Sequence, residues 1–434
     1  MTETMRGPIA FGIMAALLII VGMFQSWNVS LSILNLCLIS AIMALGVNIQ
    51  WGYAGLFNVG VMGFAALGGL AAVIVSMPPV TEAVAVGGWG IFLGLMIGAL
   101  TVALGITLYK ILPAGWPRTL GVAAAIIIGY AITRRVFVPA TELVEAINPA
   151  STGYLGGLGL PIIFAWPVGG LLAGIAAWVV GKITLGLRSD YLAIATLGIS
   201  EIIVAILKHE DWMSRGVKNV IGLPRPVPFE INLQQSEWFL NLSNSLGADP
   251  VTFSSIYVKV CYALLFATVL LIVLWLSERA LKSPWGRMMR AIRDNEVSAN
   301  AMGKDVTKRH LQVFIIGSVV IGIAGAMLTT LDGQLTPSSY QPLRFTFLIW
   351  VMVIVGGSGN NWGAVCGGFI IWFFWVQAEP MGLWFMDTIT SGMPEGSALR
   401  DHLLDSAAHM RLMTMGIILL LVLRFSPRGV IPER

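Results

Sequence analysis

Apolar residues run along this chain in blocks separated by short polar punctuation. A helix needs about 20 apolar residues to cross the hydrocarbon core of a bilayer. Blocks of about that length fall at 8–25, 29–50, 54–76, 89–110, 118–137, 161–182, 190–208, 256–277, 311–331 and 410–425. Residues 345–378 read as two shorter segments, 345–357 and 362–378. They are broken by Gly356-Gly357-Ser358-Gly359-Asn360-Asn361, a string of turn chemistry. Two crossings there bring the total to twelve. The pattern predicts an all-α integral membrane protein, a polytopic helical bundle of about 10–12 transmembrane helices in one domain over residues 1–434. Arg6 ahead of the first block raises the alternative of a cleaved leader. No small-x-small site follows at Phe24-Gln25-Ser26-Trp27, so the block is read as the first span.

Composition agrees and excludes a protein folded in water. Charged residues make up 11% of the chain and hydrophobic ones 57%, with a mean hydropathy of +0.83. Water-soluble domains carry about 25% charged residues. Charge placement adds an orientation. With the N-terminus inside and alternating spans, the inner side holds Arg6, Lys110, Arg118, Lys182, Arg188, eight basic residues between Arg279 and Arg309, and Arg424, Arg428 and Arg434. That is 16 of the 26 basic residues. Basic residues favour the cytoplasmic side, so both termini are expected there. Two long outer connections follow, 208–255 and 379–409; the second carries Asp387, Glu395, Asp401 and Asp405 and has room for a short amphipathic helix.

Some features point only to packing. Gly90, Gly94 and Gly98 form a small-residue stripe that lets helices approach closely. Cys37, Cys261 and Cys366 lie in apolar runs without metal-ligand spacing, and no metal site is expected. No G-x-x-x-x-G-K-[ST] string occurs, so the chain lacks a P-loop and is not read as an enzyme.

The basic loop 278–310 is the most informative stretch. It reads Ser283-Pro284-Trp285-Gly286-Arg287, then Ala291-Ile292-Arg293-Asp294-Asn295-Glu296 and Gly303. Residues 285–302 predict one short amphipathic helix along the inner membrane face, stopped by Gly303. Other strings appear in order: Gly52-Tyr53-Ala54-Gly55, Leu187-Arg188-Ser189-Asp190-Tyr191-Leu192, Pro337-Ser338-Ser339-Tyr340, Val355-Gly356-Gly357-Ser358-Gly359 and Arg424-Phe425-Ser426-Pro427-Arg428-Gly429. Together they resemble the LivM-type permease subunits of bacterial ABC importers for branched-chain and other hydrophobic amino acids. The resemblance covers most of 30–76 and 160–430. At Ser214-Arg215-Gly216-Val217-Lys218-Asn219 the chain departs from it, and 83–150 looks like an added helix pair with Arg134 and Arg135 near its outer end.

The resemblance implies a bacterial inner-membrane, multi-pass subunit that moves a small amphipathic solute by alternating access. It implies a second, LivH-like permease, two cytoplasmic ATPase subunits and a periplasmic solute-binding protein, with membrane lipid around it and no nucleic acid. ATP would be used by the partners, with no cofactor bound by this chain. Arg290, Arg293, Glu296, Ala299 and Gly303 would couple it to the ATPases. An ion-coupled secondary transporter acting alone is the rival reading.

Polar residues inside spans mark the candidate path. Glu201 lies mid-way along 190–208, where a carboxylate costs roughly 2.5–3.5 kcal/mol on insertion scales. It is expected to face the protein interior, paired or protonated. Thr196 lies below it. Asn48, Gln50, Tyr53 and Asn58 gather between spans two and three, where Gly60 and Gly63 predict irregular backbone. Asn58, Thr196 and Glu201 are therefore the candidate substrate path.

Overall fold

The computed structural model describes residues 3–149, 152–394 and 397–433. Glu395 and Arg434, counted above among the loop and terminal charges, lie outside the described residues. The segments predicted to cross are helices. They are α1 (Glu3–Phe24), α2 (Trp27–Ala54), α3 (Val61–Ser76), α4 (Trp89–Ile111), α5 (Trp116–Glu145), α6 (Ala165–Thr184), α7 (Ser189–His209) and α8 (Pro250–Lys282). After two short helices, α9 (Pro284–Asp294) and α10 (Glu296–Ala301), come α11 (Val306–Asp332), α12 (Pro342–Gly356), α13 (Asn361–Thr390) and α14 (Met410–Phe425). Among the described residues, ten helices are long and apolar enough to cross a membrane, and Val61–Ser76 and Pro342–Gly356 are shorter apolar helices.

Side-chain caps and glycines set the ends. Ser26, Asp249 and Asp305 accept backbone N–H groups at the starts of α2, α8 and α11. Gly55 and Gly333 close α2 and α11 at φ +70° and +65°, a backbone region open to glycine at no steric cost. The glycine string after α12 does turn the chain, with φ +118° at Gly357 and +84° at Gly359. Asn360 then caps α13, accepting from the N–H groups of Trp362 and Gly363.

The core forms where α2, α3 and α6 close on α11. Their backbones nearly touch. A Cβ on Gly68 would overlap the Gly322 carbonyl, and one on Gly325 would overlap Ala65. On the far side of α2 lie α12 and α13.

The two termini share one face. Gly7, Pro8, Ile431 and Glu433 line one cavity there, of about 800 Å³. The tail after α14 is pinned by Val430 N–H to Val355 O at 2.8 Å and Ile431 N–H to Gly356 O at 2.9 Å. The opposite face carries the long connection after α7, which holds helices Glu230–Gln234 and Glu237–Ser245. Its strand Val220–Ile221 pairs antiparallel with Gln334–Leu335. The second outer connection is shorter than the 379–409 expected, because α13 runs through Pro380 to Thr390. The short helix expected in it is Ala398–Asp405.

Candidate functional site

The expected single helix over 285–302 is two helices. Ser283 caps α9, its hydroxyl accepting from Gly286 N–H at 3.3 Å, and proline occupies the first turn. Gly286, Met289 and Ile292, three apart, seat α9 on the bundle. Asn295 then leaves helical space (φ −156°, ψ 96°), and its side chain accepts from Ser298 N–H at 2.9 Å, capping α10. An asparagine gains more as a cap than as a mid-helix residue, and this breaks the expected helix. Gly303, at φ +75° with open space around it, stops α10 as expected.

α10 has no buried residue. Glu296 is exposed, Ala299 half-buried, and Val297 and Met302 are each 80% exposed. Two large apolar side chains thus stand off the end of the bundle, Val297 on a six-residue helix and Met302 just past its end.

The basic residues of α9 do something else. Arg293 turns inward, bonding Glu433 at 2.9 and 3.3 Å and the carbonyl of Gly52 at the end of α2. Arg290 lines the cavity between the termini, alongside Glu278 and Asn360.

From Gly52 a polar chain enters the bundle. Tyr53 O–H donates to Asn361 Oδ1 at 2.5 Å, and Asn48 Nδ2 donates to the same oxygen at 3.1 Å. Asn361 Nδ2 donates to Glu278 at 3.0 Å, and Asn48 accepts from Gly359 N–H at 2.8 Å. α9, α2, the 357–360 turn and the C-terminal tail are thus one hydrogen-bonded unit.

Deeper in, residues 55–60 between α2 and α3 are irregular, as Asn58 and its glycines predicted. Irregular backbone at membrane depth needs protein partners. Asn58 supplies several: Nδ2 donates to Gln50 at 2.8 Å, Oδ1 accepts from Gly60 N–H at 2.8 Å, and its carbonyl accepts from Trp350 Nε1 at 2.9 Å. Gln50 passes the contact to Phe314 O and Ser318 Oγ on α11. Thr196 accepts from Val59 N–H at 3.0 Å. Asn58 and Thr196 therefore meet through one peptide.

Glu201 does not join them. α7 packs by the stripe Leu192, Thr196, Ser200, Val204 and Leu207, and Glu201 lies off it, exposed. The expectation that it faces this chain's interior is corrected. The physical reason is that α7 offers its small polar groups, Thr196 and Ser200, to the bundle and leaves Ile194, Ile202 and Ile206 outside. Glu201 shares that outer face with Gly198, which has open space around it, and with Ala205.

The sequence reading missed Glu433 and Asn361 as partners. An Asn at the start of an apolar segment was a visible signal for Asn361; nothing local marked Glu433. Among the described residues, no group of three His, Cys, Asp or Glu is arranged to hold a metal ion.

This geometry, a membrane bundle with a projecting two-helix loop tied into its polar centre, can be set beside known proteins. The model for the permease component of the branched-chain amino acid transport system matches residues 103–423. The chain belongs to this family. Among relatives, it is 28% identical over 39% of its length to the probable branched-chain amino acid transport permease protein LivM of Methanocaldococcus jannaschii, covering 47% of that protein. It is 24% identical over 63% of its length to the high-affinity branched-chain amino acid transport system permease protein LivM of Salmonella typhimurium, and equally to that of Escherichia coli, covering 62% of each. The chain thus spans about half to three fifths of the length of the curated relatives it matches. No solved structure matches it. The family match begins inside α4, so the pair α4–α5 straddles its edge.

Proposed function

We propose that this chain is the membrane-spanning permease subunit of an ABC importer in a bacterial inner membrane, and that it moves a branched-chain or other hydrophobic amino acid. Transport would run by alternating access, driven by ATP hydrolysis in two cytoplasmic ATPase subunits. A periplasmic binding protein would deliver the solute. The observation that carries the reading is the loop α9–α10: its tip is unburied and apolar, and its root, Arg293, is bonded into the bundle at Gly52 and Glu433. A push on α10 from an ATPase would reach the polar chain Asn48–Asn361–Tyr53 without crossing solvent. Glu296, Ala299 and Gly303 lie on the docking element. Arg293 belongs to the transmission rather than the contact, and Arg290 lies beside it at the termini. The face carrying both termini and this basic loop would be cytoplasmic.

Glu201 supports a second, LivH-like permease. A mid-span carboxylate facing lipid costs roughly 2.5–3.5 kcal/mol. A neighbouring chain against α7 removes that cost, and Gly198 and Ala205 on the same face allow close helix approach. The solute would then pass between the two permeases beside Glu201, with Asn58 and Thr196 fixing the broken backbone behind α7.

The test is co-purification of the tagged chain from its native membrane. Two P-loop ATPase chains should come with it and be lost from the double variant Val297→Asp/Met302→Asp, whose side chains touch nothing in this chain's core. Absence of any P-loop chain from the wild-type preparation would sink the reading.

A further inference from the structure

A second cavity, of about 240 Å³, lies between α2, α3, α11, α12 and α13, away from both the coupling loop and the α7 face. At about 30 Å³ per water it holds roughly eight waters, the bulk of a small aliphatic molecule. Most of its wall is aliphatic, including Ile39, Met43, Leu348 and Ile349. Its polar groups are few: Ser40, Asp332, Ser339 and Trp372. None of their side chains has a hydrogen-bond or ion-pair partner among the described residues. Ser40 is 5% exposed, Asp332 and Ser339 are exposed, and the buried indole Nε1 of Trp372 has no acceptor. Buried polar groups are ordinarily paired, so the unpaired Trp372 indole, in an apolar cavity that also carries the unpaired Asp332 carboxylate, marks where a ligand's polar atoms would go.

Asp332 fixes the sign of that ligand. It is the last residue of the 27-residue α11, with no basic residue in that helix's last turn. A helix C-terminus already carries partial negative charge from its unpaired carbonyls. A carboxylate there is unfavourable alone and favourable with a bound cation. No Lys or Arg lines the cavity to supply one.

We infer that this cavity binds an aliphatic solute bearing a protonated amine, with the ammonium group at Asp332 and the α11 C-terminus and the aliphatic part against Ile39, Met43, Leu348 and Ile349. Ser40 and Ser339 supply hydroxyl donors for a carboxylate when the solute is an α-amino acid. The inference deepens the importer reading, which it rests on for the solute class: it gives the cargo a place inside this one chain, in addition to any passage between two permeases.

The experiment measures ligand binding to the purified full chain in lipid nanodiscs. Three probes of similar size separate the groups: L-leucine, 3-methylbutylamine, which lacks the carboxylate, and 4-methylpentanoate, which lacks the amine. Leucine and the amine should bind and the acid should not. Asp332→Asn should weaken both by at least tenfold while the chain stays monodisperse, and Asp332→Glu should recover part of the loss. Ile349→Trp, which fills the cavity, should abolish binding. Wild-type protein that fails to bind leucine overturns the inference, as does leucine binding that Asp332→Asn leaves unchanged. Binding of the acid in place of the amine identifies an acyl-chain crevice and overturns it too. ATPase co-purification, scored on the same preparations, reads the importer proposal separately: Asp332→Asn should leave it intact.

Discussion

The four-helix core of α2, α3, α6 and α11 and the helix pair α4–α5 are both built from apolar, glycine-containing helices, yet they are held together differently. In the core, glycines let backbone meet backbone: Gly68 against Gly322, Gly325 against Ala65, Gly46 against Gly317. Between those contacts run the polar side chains Gln50, Asn58 and Ser318. The pair is simpler. Gly90 and Gly94 would place a Cβ 2.6 and 2.7 Å from Ala140 and Phe137 side chains, and Gly98 one at 3.6 Å from Thr133. The expected stripe is thus a packing seam between α4 and α5. Thr101 and Thr107 bond their own helix, at Ile97 O and Ala103 O. In α5 the buried residues are Ala140, Thr141 and Val144, all in its last two turns. The pair meets the rest through a small cluster at its outer end, with Ala83, Ile91, Ala140 and Val144 against Trp212. Lipid is as apolar as leucine, so helices associate by close packing and internal hydrogen bonds, and only the core has both in quantity. It is also the part wired to the α9–α10 loop.

The largest expected effect tests that contrast directly. Gly68→Ala pushes a methyl into a backbone carbonyl that a 27-residue helix holds in place. Overpacking of this kind costs about 1–3 kcal/mol, more where backbone must move. The variant should lose its monodisperse elution peak in mild detergent or melt several degrees lower. Unchanged elution and melting would mean that the core is looser than its geometry states.

The twelve apolar segments were legible because hydrophobic length is a property of the segment itself, and the irregular 55–60 stretch because Asn58 and its glycines sit together. The facing of α7 was not. In water the apolar stripe of a helix turns inward; in a membrane Ile194, Ile202 and Ile206 lose nothing by facing outward, while Thr196 gains the Val59 N–H and Ser200 packs closely on Gly63 by facing in. Sequence periodicity therefore gave Glu201 no side. The break at Asn295 was hidden for another reason, since Arg287, Arg290 and Asp294 keep helical spacing up to the break. Arg293 and Glu433 are 140 positions apart, and only the fold brings them together.

That pair gives the intermediate effect. Arg293 and Glu433 are each about a quarter exposed, so solvent screening trims the interaction well below a buried ion pair. Arg293→Ala and Glu433→Gln should each loosen the 284–304 loop. Hydrogen exchange at α9 amides should rise severalfold in both, while amides of α4 and α5 stay as they were. In the double variant the effects should fall short of additive by about 0.5–1 kcal/mol. Full additivity would mean that the two side chains do not act together, and the tail would drop out of the proposed transmission path.

The smallest effect has the opposite sign from the first and uses the same substitution. Gly98→Ala places its Cβ in ordinary contact with Thr133 and in helical backbone, so no neighbour must move. Glycine inside a helix costs roughly 0.5–1 kcal/mol relative to alanine, because it has more freedom to lose on ordering. Gly98→Ala should therefore leave elution unchanged and raise the melting temperature slightly. Where Gly68→Ala inserts a methyl between backbones, Gly98→Ala only fills slack in a side-chain seam. A destabilised Gly98→Ala protein would show that α4 and α5 sit closer than 3.6 Å at that level, and the pair would then be packed like the core it otherwise contrasts with.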